Sequence, residues 1–411
     1  MMNVPFYSLD YVNRALGDAL RESFSDVLDS KWFIRGNRCR EFEEAFAAYC
    51  GKKACVGVGN GLDALTLMLK ASILLGRIAE GDEVIVPANT FVATVLAVRA
   101  AGLVPVLVEP DPVTCNLNVQ HLQEACSEKT RAIIAVHLYG RLADMPAICE
   151  FAKGRNLLVF EDAAQSHGAC LCHPERSAQR GVDIQDLGLQ PLSRVRFEGA
   201  GSTAAAYSFY PTKNLGAMGD GGAVVTDDLE LAQVVKSLGN YGSVEKYVNK
   251  YVGVNSRLDE VQSAILLAKL PHLDSWNKRR QEIATRYCEG IKNPLVRVTP
   301  VPQNPQSHVW HVFPVFSDCR DELQKFLKDR GVETLIHYPI PPHLQDAFAG
   351  ADSRGELRYG PLPIAEKLAK TELSIPMGPA MTDEQVAYVI ESINAYSPSQ
   401  SSSASSLSSP A

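Results

Sequence analysis

The stretch from Tyr207 to Thr226, YSFYPTKNLGAMGDGGAVVT, decides how the chain is interpreted. It holds a single lysine, Lys213, in a loop that is otherwise almost free of charge. A lysine in a loop is ordinarily a solvated residue, because its ammonium group is strongly hydrated. Gly221 and Gly222 allow the backbone to turn tightly before the apolar run AVVT. We therefore assign Lys213 a chemical role only if other functional residues lie near the same loop.

Short apolar runs alternate with longer amphipathic patterns on the N-terminal side of this stretch and within it. The runs are rich in β-branched residues, which predicts buried strands: ACVGV, EVIVP, VPVLVEP, RAIIAVHLYG, NLLVFED and GAVVT. Between them, GLDALTLMLKASILL and TFVATVLAVRAAG carry apolar residues at helical spacing. This alternation predicts an α/β fold with a mostly parallel sheet covered on both faces. Ligands of such sheets bind at the carboxyl ends of the strands.

The pattern changes near residue 258. The following segment predicts one long helix or two helices interrupted at Pro271, and shorter strands and helices after it predict a smaller α+β domain. We therefore divide the chain into an N-terminal segment with a large domain (1–257) and a connecting helix with a small domain (258–396). The Ser-rich tail (397–411) contains too few apolar residues to fold and is predicted to be disordered.

The composition excludes several classes of protein. The 411 residues carry a net charge of -7 and are 46% hydrophobic, which favours a globular protein without a nucleic-acid or anionic-membrane partner. No apolar run is long enough to span a bilayer. The first residues lack the basic start and apolar core of a signal peptide, so we expect a cytoplasmic protein. The ten cysteines are scattered without a second close pair, which predicts reduced thiols and no metal site.

Two further features at predicted strand ends bear on Lys213. The segment VGVGNGLDAL, residues 56–65, leads from a strand through a glycine turn into a helix, whose first amides suit a phosphate group. The segment NLLVFEDAAQSHGA ends a hydrophobic strand with Glu161 and Asp162, where a carboxylate needs a cation or several donors, although an acid there can also cap a helix. A phosphate cradle, an acid and a lysine together suggest pyridoxal 5′-phosphate (PLP).

The chain resembles the DegT/StrS-type sugar aminotransferases, which are PLP enzymes with the aspartate-aminotransferase fold (fold type I). The resemblance covers roughly residues 4–390. It rests on motifs that occur in the family's order: GNGLDAL, GDEVIVPANTFVAT, VEPD, VHLYG, EDAAQSHGA, YSFYPTKNLGAMGDGGAVVT and NSRLDEVQ. It implies a large domain with a mostly parallel seven-stranded sheet, a smaller C-terminal α+β domain, and a homodimer with active sites shared between subunits.

The resemblance also implies roles for individual residues. Lys213 would bind the cofactor covalently and later move a proton, and Asp162 would pair with the pyridine nitrogen and keep it protonated. Gln165 would contact the phenolic oxygen of the ring. Phe91 would stack on the ring, although by pattern alone it is a core aromatic residue. The implied phosphate contacts are the amides of Gly61 and Leu62, the side chain of Ser208, and Asn255, which would reach the cofactor of the neighbouring subunit.

The substrate implied by the resemblance is a nucleotide-linked keto-sugar, with L-glutamate as the amino donor. Tyr210 stands where enzymes that aminate C4 commonly carry histidine, and the segment NYGS…KYVN resembles the enzymes that aminate C3. We therefore predict a dTDP-3-keto-6-deoxyhexose, with a 4-keto-sugar as the alternative. The predicted substrate contacts lie in aromatic and polar segments that also occur as half-buried packing: Trp32, Phe33, Arg35, Tyr210, Tyr241, Tyr247, His308 and Tyr338.

The chain departs from the family pattern at two places. About twenty residues are inserted between Ala169 and Ser208, as a surface loop tolerates. Val254 stands where relatives usually carry an aromatic residue. Two alternatives follow from the family itself. A sugar dehydratase on the same fold would carry histidine in place of Lys213, and a regulatory relative without catalysis would be expected to lose the lysine or the acid. The sugar configuration and the nucleotide are left open.

Overall fold

A computed structural model of the chain describes residues 2–171, 201–351, 353 and 355–398. The predicted insertion around 173–200 and residues 399–411 of the Ser-rich tail lie outside the described residues. The strands are β1 Ala54–Val58, β2 Glu83–Pro87, β3 Val104–Val108, β4 Thr130–Val136, β5 Leu158–Asp162, β6 Ala204–Ser208, β7 Gly222–Thr226, β8 Ser243–Glu245, β9 Val248–Asn249, β10 Arg297–Val298, β11 Phe313–Phe316 and β12 Glu372–Ile375. The α-helices are α1 Asp10–Ala15, α2 Gly17–Ser30, α3 Asn37–Cys50, α4 Gly61–Leu74, α5 Val92–Ala100, α6 Val119–Ala125, α7 Met145–Lys153, α8 Leu229–Leu238, α9 Glu260–Lys269, α10 Leu273–Gly290, α11 Arg320–Asp329, α12 Pro363–Thr371 and α13 Asp383–Asn394.

A seven-stranded sheet with the order β1-β7-β6-β5-β4-β2-β3 forms the centre of the large domain. Strand β7 runs antiparallel to β1 and β6, and the remaining neighbours are parallel. The prediction of a mostly parallel sheet is therefore confirmed. All five residues of β2 are buried, which is the pattern of a strand covered on both faces.

Consecutive residues of a strand enter different layers of the core, because side chains alternate between the two faces of a sheet. Val84 and Val86 of β2 pack in the layer that contains Met68 of α4. Ile85, which lies between them, packs on the opposite side in the layer that contains Ile148 of α7. Two sets of helices thus cover the sheet, as the alternation of strands and helices in the sequence predicts.

The parallel strands bring their carboxyl ends to one edge of the sheet. Strand β5 ends there at Asp162 and β6 at Ser208, while the reversed strand β7 begins there at Gly222, opposite Ser208. A Cβ atom on Gly222 would lie 2.3 Å from the carbonyl oxygen of Asn60. Glycine at this position therefore allows β7 to start directly against the turn that precedes α4.

The second half of the chain contains another core. It combines the antiparallel sheet β10-β11-β12 with α10, α11 and α13. The predicted interruption at Pro271 is confirmed, since a short 3₁₀ turn, Leu270–His272, separates α9 from α10. Helix α9 itself packs against α2 and α3. Phe348 and Leu362 also come from the second half of the chain, but they pack in the hydrophobic core of the seven-stranded sheet. The domain boundary at residue 258 stays a prediction.

Candidate active site

A cavity of about 480 Å³ lies at the carboxyl edge of the sheet. Its volume falls in the range of small-molecule and cofactor sites. Most of the predicted site residues line this cavity: Gly61, Leu62, Phe91, Asp162, Gln165, Ser208, Tyr210, Lys213 and Tyr338. Residues as far apart in the chain as Gly61 and Tyr338 thus converge on one space.

The N-terminus of α4 forms one end of the cavity. Asn60 caps this helix by accepting a hydrogen bond from the Asp63 amide at 2.8 Å. The amides of Gly61 and Leu62 precede that capped position and belong to the first turn, where no intrahelical acceptor exists. A Cβ atom on Gly61 would lie 2.7 Å from Cβ of Ser208, so the helix start and the serine are in close contact. Two amides, a hydroxyl and the positive end of a helix suit a phosphate group.

Asp162, and not Glu161, enters the cavity, because neighbouring residues of β5 face opposite ways. Glu161 Oε2 lies 2.8 Å from His137 Nε2, and Glu161 also accepts a hydrogen bond from Ser202. Burial would raise the pKa of the Glu161 carboxyl, but the hydrogen bonds and charge of its partners hold this pKa below its ordinary value. Glu161 is therefore fully engaged behind the sheet edge.

The Asp162 carboxylate is only 7% exposed and is held by two donors. Thr94 Oγ1 donates to Oδ2 at 2.8 Å, and the Ala164 amide donates to Oδ1 at 3.2 Å. A carboxylate can accept more hydrogen bonds than these two. Because Asp162 lines the cavity, its remaining capacity is directed at whatever the cavity binds.

Lys213 is buried, and burial favours its neutral amine over the ammonium form. Burial lowers the pKa of the Lys213 ammonium to about 8, and the negative charge of Asp162 opposes this shift. Two histidines nearby are kept neutral by burial and by the positive charge of Lys213, which lower the pKa of His167 to about 3 and that of His337 to about 4. A lysine with a lowered pKa is a nucleophile near neutral pH.

Two aromatic residues, Phe91 and Tyr338, line the cavity and lie next to each other. The rings of Phe91 and Tyr338 lie 5.1 Å apart between centroids, at an interplanar angle of 41°. The Tyr338 hydroxyl accepts a hydrogen bond from Gln165 Nε2 at 3.1 Å. Gln165 Oε1 in turn accepts from the Tyr139 amide at 2.5 Å, which fixes the amide orientation of the glutamine. Phe91 is 50% exposed, so its ring face is available to a planar ligand.

Several residues that line the cavity were not predicted from the sequence. His137, His311 and His337 line it, as do Thr90 and Asp220. The motif VHLYG contains His137, and the segment IHYP contains His337 next to the predicted Tyr338. Their ring positions depend on strand direction and on packing against the second core, which no local pattern reveals.

Other predicted residues do not line the cavity within one chain. Trp32 and Arg35 lie in a separate, more open groove of about 940 Å³ beside α2 and α3, which contains neither Lys213 nor Asp162. Phe33, Tyr241 and Tyr247 are exposed, with Tyr247 at 88%. Asn255 is also exposed. None of these residues lines the cavity that contains Lys213 and Asp162, so their predicted roles stay predictions.

His308, which is also a predicted substrate contact, is buried and does not line the cavity. Its ring is 1% exposed and stacks on Trp310 with 3.6 Å between centroids. Its Nδ1 atom accepts a hydrogen bond from the Trp310 amide at 3.1 Å. Burial, together with the charge of Arg141, lowers the pKa of His308 well below its ordinary value. His308 therefore packs inside the protein in this structure and does not line the cavity, and its role as a substrate contact stays a prediction.

Metal coordination has no evident place in the described part of the chain. Within residues 2–171, 201–351, 353 and 355–398, no group of three or more His, Cys, Asp or Glu side chains could hold a metal ion. None of the helices in these ranges combines the length and the apolar character needed to cross a membrane.

Comparison with known proteins shows which family the chain belongs to. A model of the DegT/DnrJ/EryC1/StrS aminotransferase family matches residues 15–394. The chain belongs to this family. It is 44% identical to dTDP-3-amino-3,6-dideoxy-alpha-D-galactopyranose transaminase of Aneurinibacillus thermoaerophilus over 96% of this chain and 99% of that one. It is also 44% identical to dTDP-3-amino-3,4,6-trideoxy-alpha-D-glucose transaminase of Streptomyces venezuelae, over 95% of each chain.

Solved structures of this family share the fold. DesV of S. venezuelae, solved in complex with a ketimine intermediate, superimposes with a TM-score of 0.84 at 42% identity over 96% of this chain and 98% of that chain. NtdA of Bacillus subtilis, solved with bound cofactor PMP, gives a TM-score of 0.80 at 30% identity over 96% of this chain and 85% of that chain. The predicted aspartate-aminotransferase fold is thereby confirmed. Family members are PLP-dependent, so this chain is an aminotransferase with PLP as its cofactor.

Proposed function

We propose that the enzyme transfers an amino group from L-glutamate to C3 of a dTDP-linked 3-keto-6-deoxyhexose. The observation that carries this proposal is the meeting of Lys213 and Asp162 in one cavity beside the N-terminus of α4. The charge of Asp162 acts on Lys213, which places the two groups within electrostatic reach of each other. A lysine nucleophile, an anion and a phosphate cradle are the groups that PLP requires.

The residues present fit this cofactor. The amides of Gly61 and Leu62 and the hydroxyl of Ser208 would hold its phosphate, and Asp162 would pair with its ring nitrogen. Gln165 would contact the phenolic oxygen, and the half-exposed ring of Phe91 would cover one face of the cofactor ring. When bound, PLP accepts the amino group of the donor and delivers it to the keto carbon while delocalising the negative charge that develops there.

Lys213 would serve both as the covalent anchor and as the proton carrier. Because burial lowers its pKa to about 8, a larger fraction of Lys213 is neutral near physiological pH than of an ordinary lysine, and the neutral amine can accept a proton. Asp162 limits this shift, since a neighbouring negative charge favours the ammonium form. Both protonation states of Lys213 are therefore accessible: the amine can accept a proton and the ammonium can donate it.

Preference for C3 is supported by the relatives and by one cavity residue. Relatives at 44% identity carry names of dTDP-3-amino-sugar transaminases, and relatives at 35–37% identity carry names of UDP-linked 3-amino-sugar enzymes. GDP-perosamine synthase of Escherichia coli O157:H7 is more distant, at 33% identity. Tyr210, half exposed in the cavity, stands at the position where histidine indicates amination at C4. A 4-keto-sugar is the alternative substrate.

A regulatory function without catalysis is a second candidate, since two relatives at 42–43% identity are named a sensory transduction protein and a pleiotropic regulatory protein. The cavity argues against it. Burying a lysine and a carboxylate costs folding free energy, which a protein without a ligand at this place would not need to spend. This chain has both groups, Lys213 and Asp162, in the cavity. Absorption spectra separate the two candidates, because an aminotransferase shows a cofactor band that bleaches when glutamate is added.

The active unit that we propose is a homodimer in which Asn255 reaches the cofactor of the other subunit. Support comes from the exposure of the predicted substrate residues Trp32, Phe33, Tyr241 and Tyr247, which lie outside the cavity of their own chain. Large aromatic residues at such exposure are expected at an interface.

We place the enzyme in the cytoplasm, in keeping with buried thiols such as Cys115, whose pKa burial raises to about 12.

The decisive experiment offers purified enzyme, PLP and L-glutamate with freshly prepared dTDP-3-keto- and dTDP-4-keto-6-deoxyglucose in parallel. The position of the new nitrogen is determined by NMR. Moving the ketone by one ring position displaces the reacting carbon by more than about 1 Å, which is enough to cost orders of magnitude in rate. Amination of the 3-keto-sugar alone supports the proposal. Amination at C4 alone overturns the regiochemistry, and no turnover of either sugar would direct the search to other nucleotides.

A further inference from the structure

The Asp162 carboxylate lies at the end of a chain of two buried threonine hydroxyls. Thr94 Oγ1 is 2.8 Å from Asp162 Oδ2, and Thr90 Oγ1 is 2.6 Å from Thr94 Oγ1. Thr90 and Thr94 are 1% and 0% exposed, so water does not compete for these hydrogen bonds. Thr90 also lines the cavity. Neither threonine has a part in the function proposed above.

An ionised Asp162 gives this chain one direction. Each hydroxyl has one proton to donate, whereas an ionised carboxylate can only accept. Thr94 therefore gives its proton to Asp162 and must accept the proton of Thr90. The reversed chain would need a protonated Asp162 that donates to Thr94, with Thr94 donating to Thr90, since either threonine can be the donor in their hydrogen bond. The order Thr90 to Thr94 to Asp162 therefore belongs to the ionised form of the acid, and the other groups around Asp162 decide between the two forms.

Further groups favour the ionised form. The Ala164 amide donates to the other carboxylate oxygen, Oδ1. Thr94 belongs to the first turn of α5, whose positive dipole end favours a negative charge. Hydrogen bonds to an ionised acceptor in a water-excluded site are stronger than those between neutral groups. Every donor that contacts Asp162 thus acts in the same direction.

We propose that Thr94 is a positioning residue that keeps Asp162 ionised and directed at the pyridine nitrogen of the cofactor, and that Thr90 orients the Thr94 hydroxyl. This inference rests on the role proposed for Asp162. Without the Thr94 donor, the Asp162 carboxylate would be more basic. It would then take the proton from the pyridine nitrogen more readily. The cofactor would then bind more weakly and delocalise negative charge less well, while the sugar-binding surface would be unchanged.

The test compares side chains of similar shape at position 94. Thr94→Val removes only the hydroxyl, and we expect the dissociation constant for PLP to rise about tenfold or more, with a comparable fall in kcat. KM for the sugar nucleotide should change less than about threefold. Thr94→Ser keeps the hydroxyl and should restore both quantities to within about threefold. Thr90→Val, one step further from the acid, should have a smaller effect than Thr94→Val.

A matched control separates loss of the hydroxyl from general destabilisation. Thr371 is another buried threonine, which donates to the carbonyl of Lys367 in α12 away from the cavity. Thr371→Val should leave PLP affinity and the absorption spectrum unchanged. Melting temperatures of all apo variants are recorded, and Thr94→Ala replaces Thr94→Val if the latter does not fold. Thr94→Val with wild-type PLP affinity, or Thr94→Ser as defective as Thr94→Val, would overturn the inference.

A double-mutant cycle tests whether Thr94 acts through Asp162. If it does, Thr94→Val added to Asp162→Asn causes little further loss of PLP affinity, because the carboxylate that it serves is gone. The same loss in both backgrounds would show that Thr94 acts independently and would overturn the inference. Asp162→Asn with wild-type PLP affinity and turnover would overturn the role proposed for Asp162 itself, an outcome that the cycle distinguishes from failure of Thr94 alone.

Discussion

Glu161 Oε2 lies 2.8 Å from Nε2 of His137, and both side chains are completely buried. This contact occupies Glu161 on one face of β5 and leaves Asp162 to face the cavity. Two adjacent acids in the sequence are thus separated into a structural acid and a candidate catalytic acid. The alternation of side chains along a strand is the physical cause.

Asp162→Asn and Glu161→Gln should therefore have opposite effects. We expect Asp162→Asn to fold and to lose roughly 100-fold or more in kcat, equivalent to about 3 kcal/mol, because a neutral amide does not hold the pyridinium proton. Glu161→Gln should keep most of its turnover but lower the melting temperature, since His137 loses a charged partner. Steady-state kinetics and thermal melts decide the matter, and the reverse pattern would identify Glu161 as the catalytic acid.

Lys213→Ala should abolish turnover while PLP remains bound noncovalently through its phosphate and ring contacts. Borohydride reduction of the wild-type holoenzyme followed by peptide mapping should label Lys213. Lys269 is a stringent internal control, because it is also buried and burial lowers its pKa to about 8, yet its amine donates to the Gly216 carbonyl at 2.7 Å. Label on Lys269, or on any lysine other than Lys213, would disprove the assignment.

The rate at which the apoenzyme attaches PLP covalently should rise with pH around a midpoint near the Lys213 pKa of about 8, instead of the 10.5 of an ordinary lysine. The neutral amine is the reactive form, and its fraction increases as the pH passes the pKa. Removing the charge in Asp162→Asn should move the midpoint to lower pH, because that charge stabilises the ammonium. Stopped-flow absorbance measures both curves, and a wild-type midpoint near 10.5 would contradict the expected burial effect.

Mixing inactive Lys213→Ala chains with impaired Asn255→Ala chains should restore activity if the sites are shared. One of the two sites in each mixed dimer then has an intact Lys213 and receives an intact Asn255 from the other chain. Lys213→Ala mixed with Asp162→Asn is the control, because both residues line the cavity of one chain and neither mixed site is complete. Absence of recovery despite demonstrated subunit exchange argues against sharing.

His308→Gln should change stability and leave KM for the sugar nucleotide unaffected. Because burial holds the pKa of His308 well below 6.5, the unfolded chain binds more protons than the folded chain as the pH falls below 6.5. This difference costs stability in acid, so the wild-type melting temperature should fall more steeply with acidification than that of His308→Gln. The exposed His272→Gln serves as a control. A large increase in KM for His308→Gln would support the prediction of His308 as a substrate contact.

The sequence determined the fold class because the strands of a doubly covered sheet are recognisable locally. ACVGV, EVIVP and GAVVT form β1, β2 and β7 with the predicted limits. Strand β6, AAAYS, was not recognised, since alanine has no strand preference and only its two neighbours in the sheet define it. The position of Lys213 and Asp162 near strand ends was also readable, because parallel strands place their carboxyl ends at one edge.

Tertiary structure decided which candidate residues meet. Thr94 reaches Asp162 from 68 positions away, and Tyr338 reaches Gln165 from 173 positions away, through packing that no sequence period encodes. His308 stacks on Trp310 and does not line the cavity, an arrangement that the aromatic segment around it does not reveal. Local sequence carries the preferences of backbone and side chain for strand, helix and turn. The chemistry of the site depends on distances and burial between remote segments, and these exist only after the chain has folded.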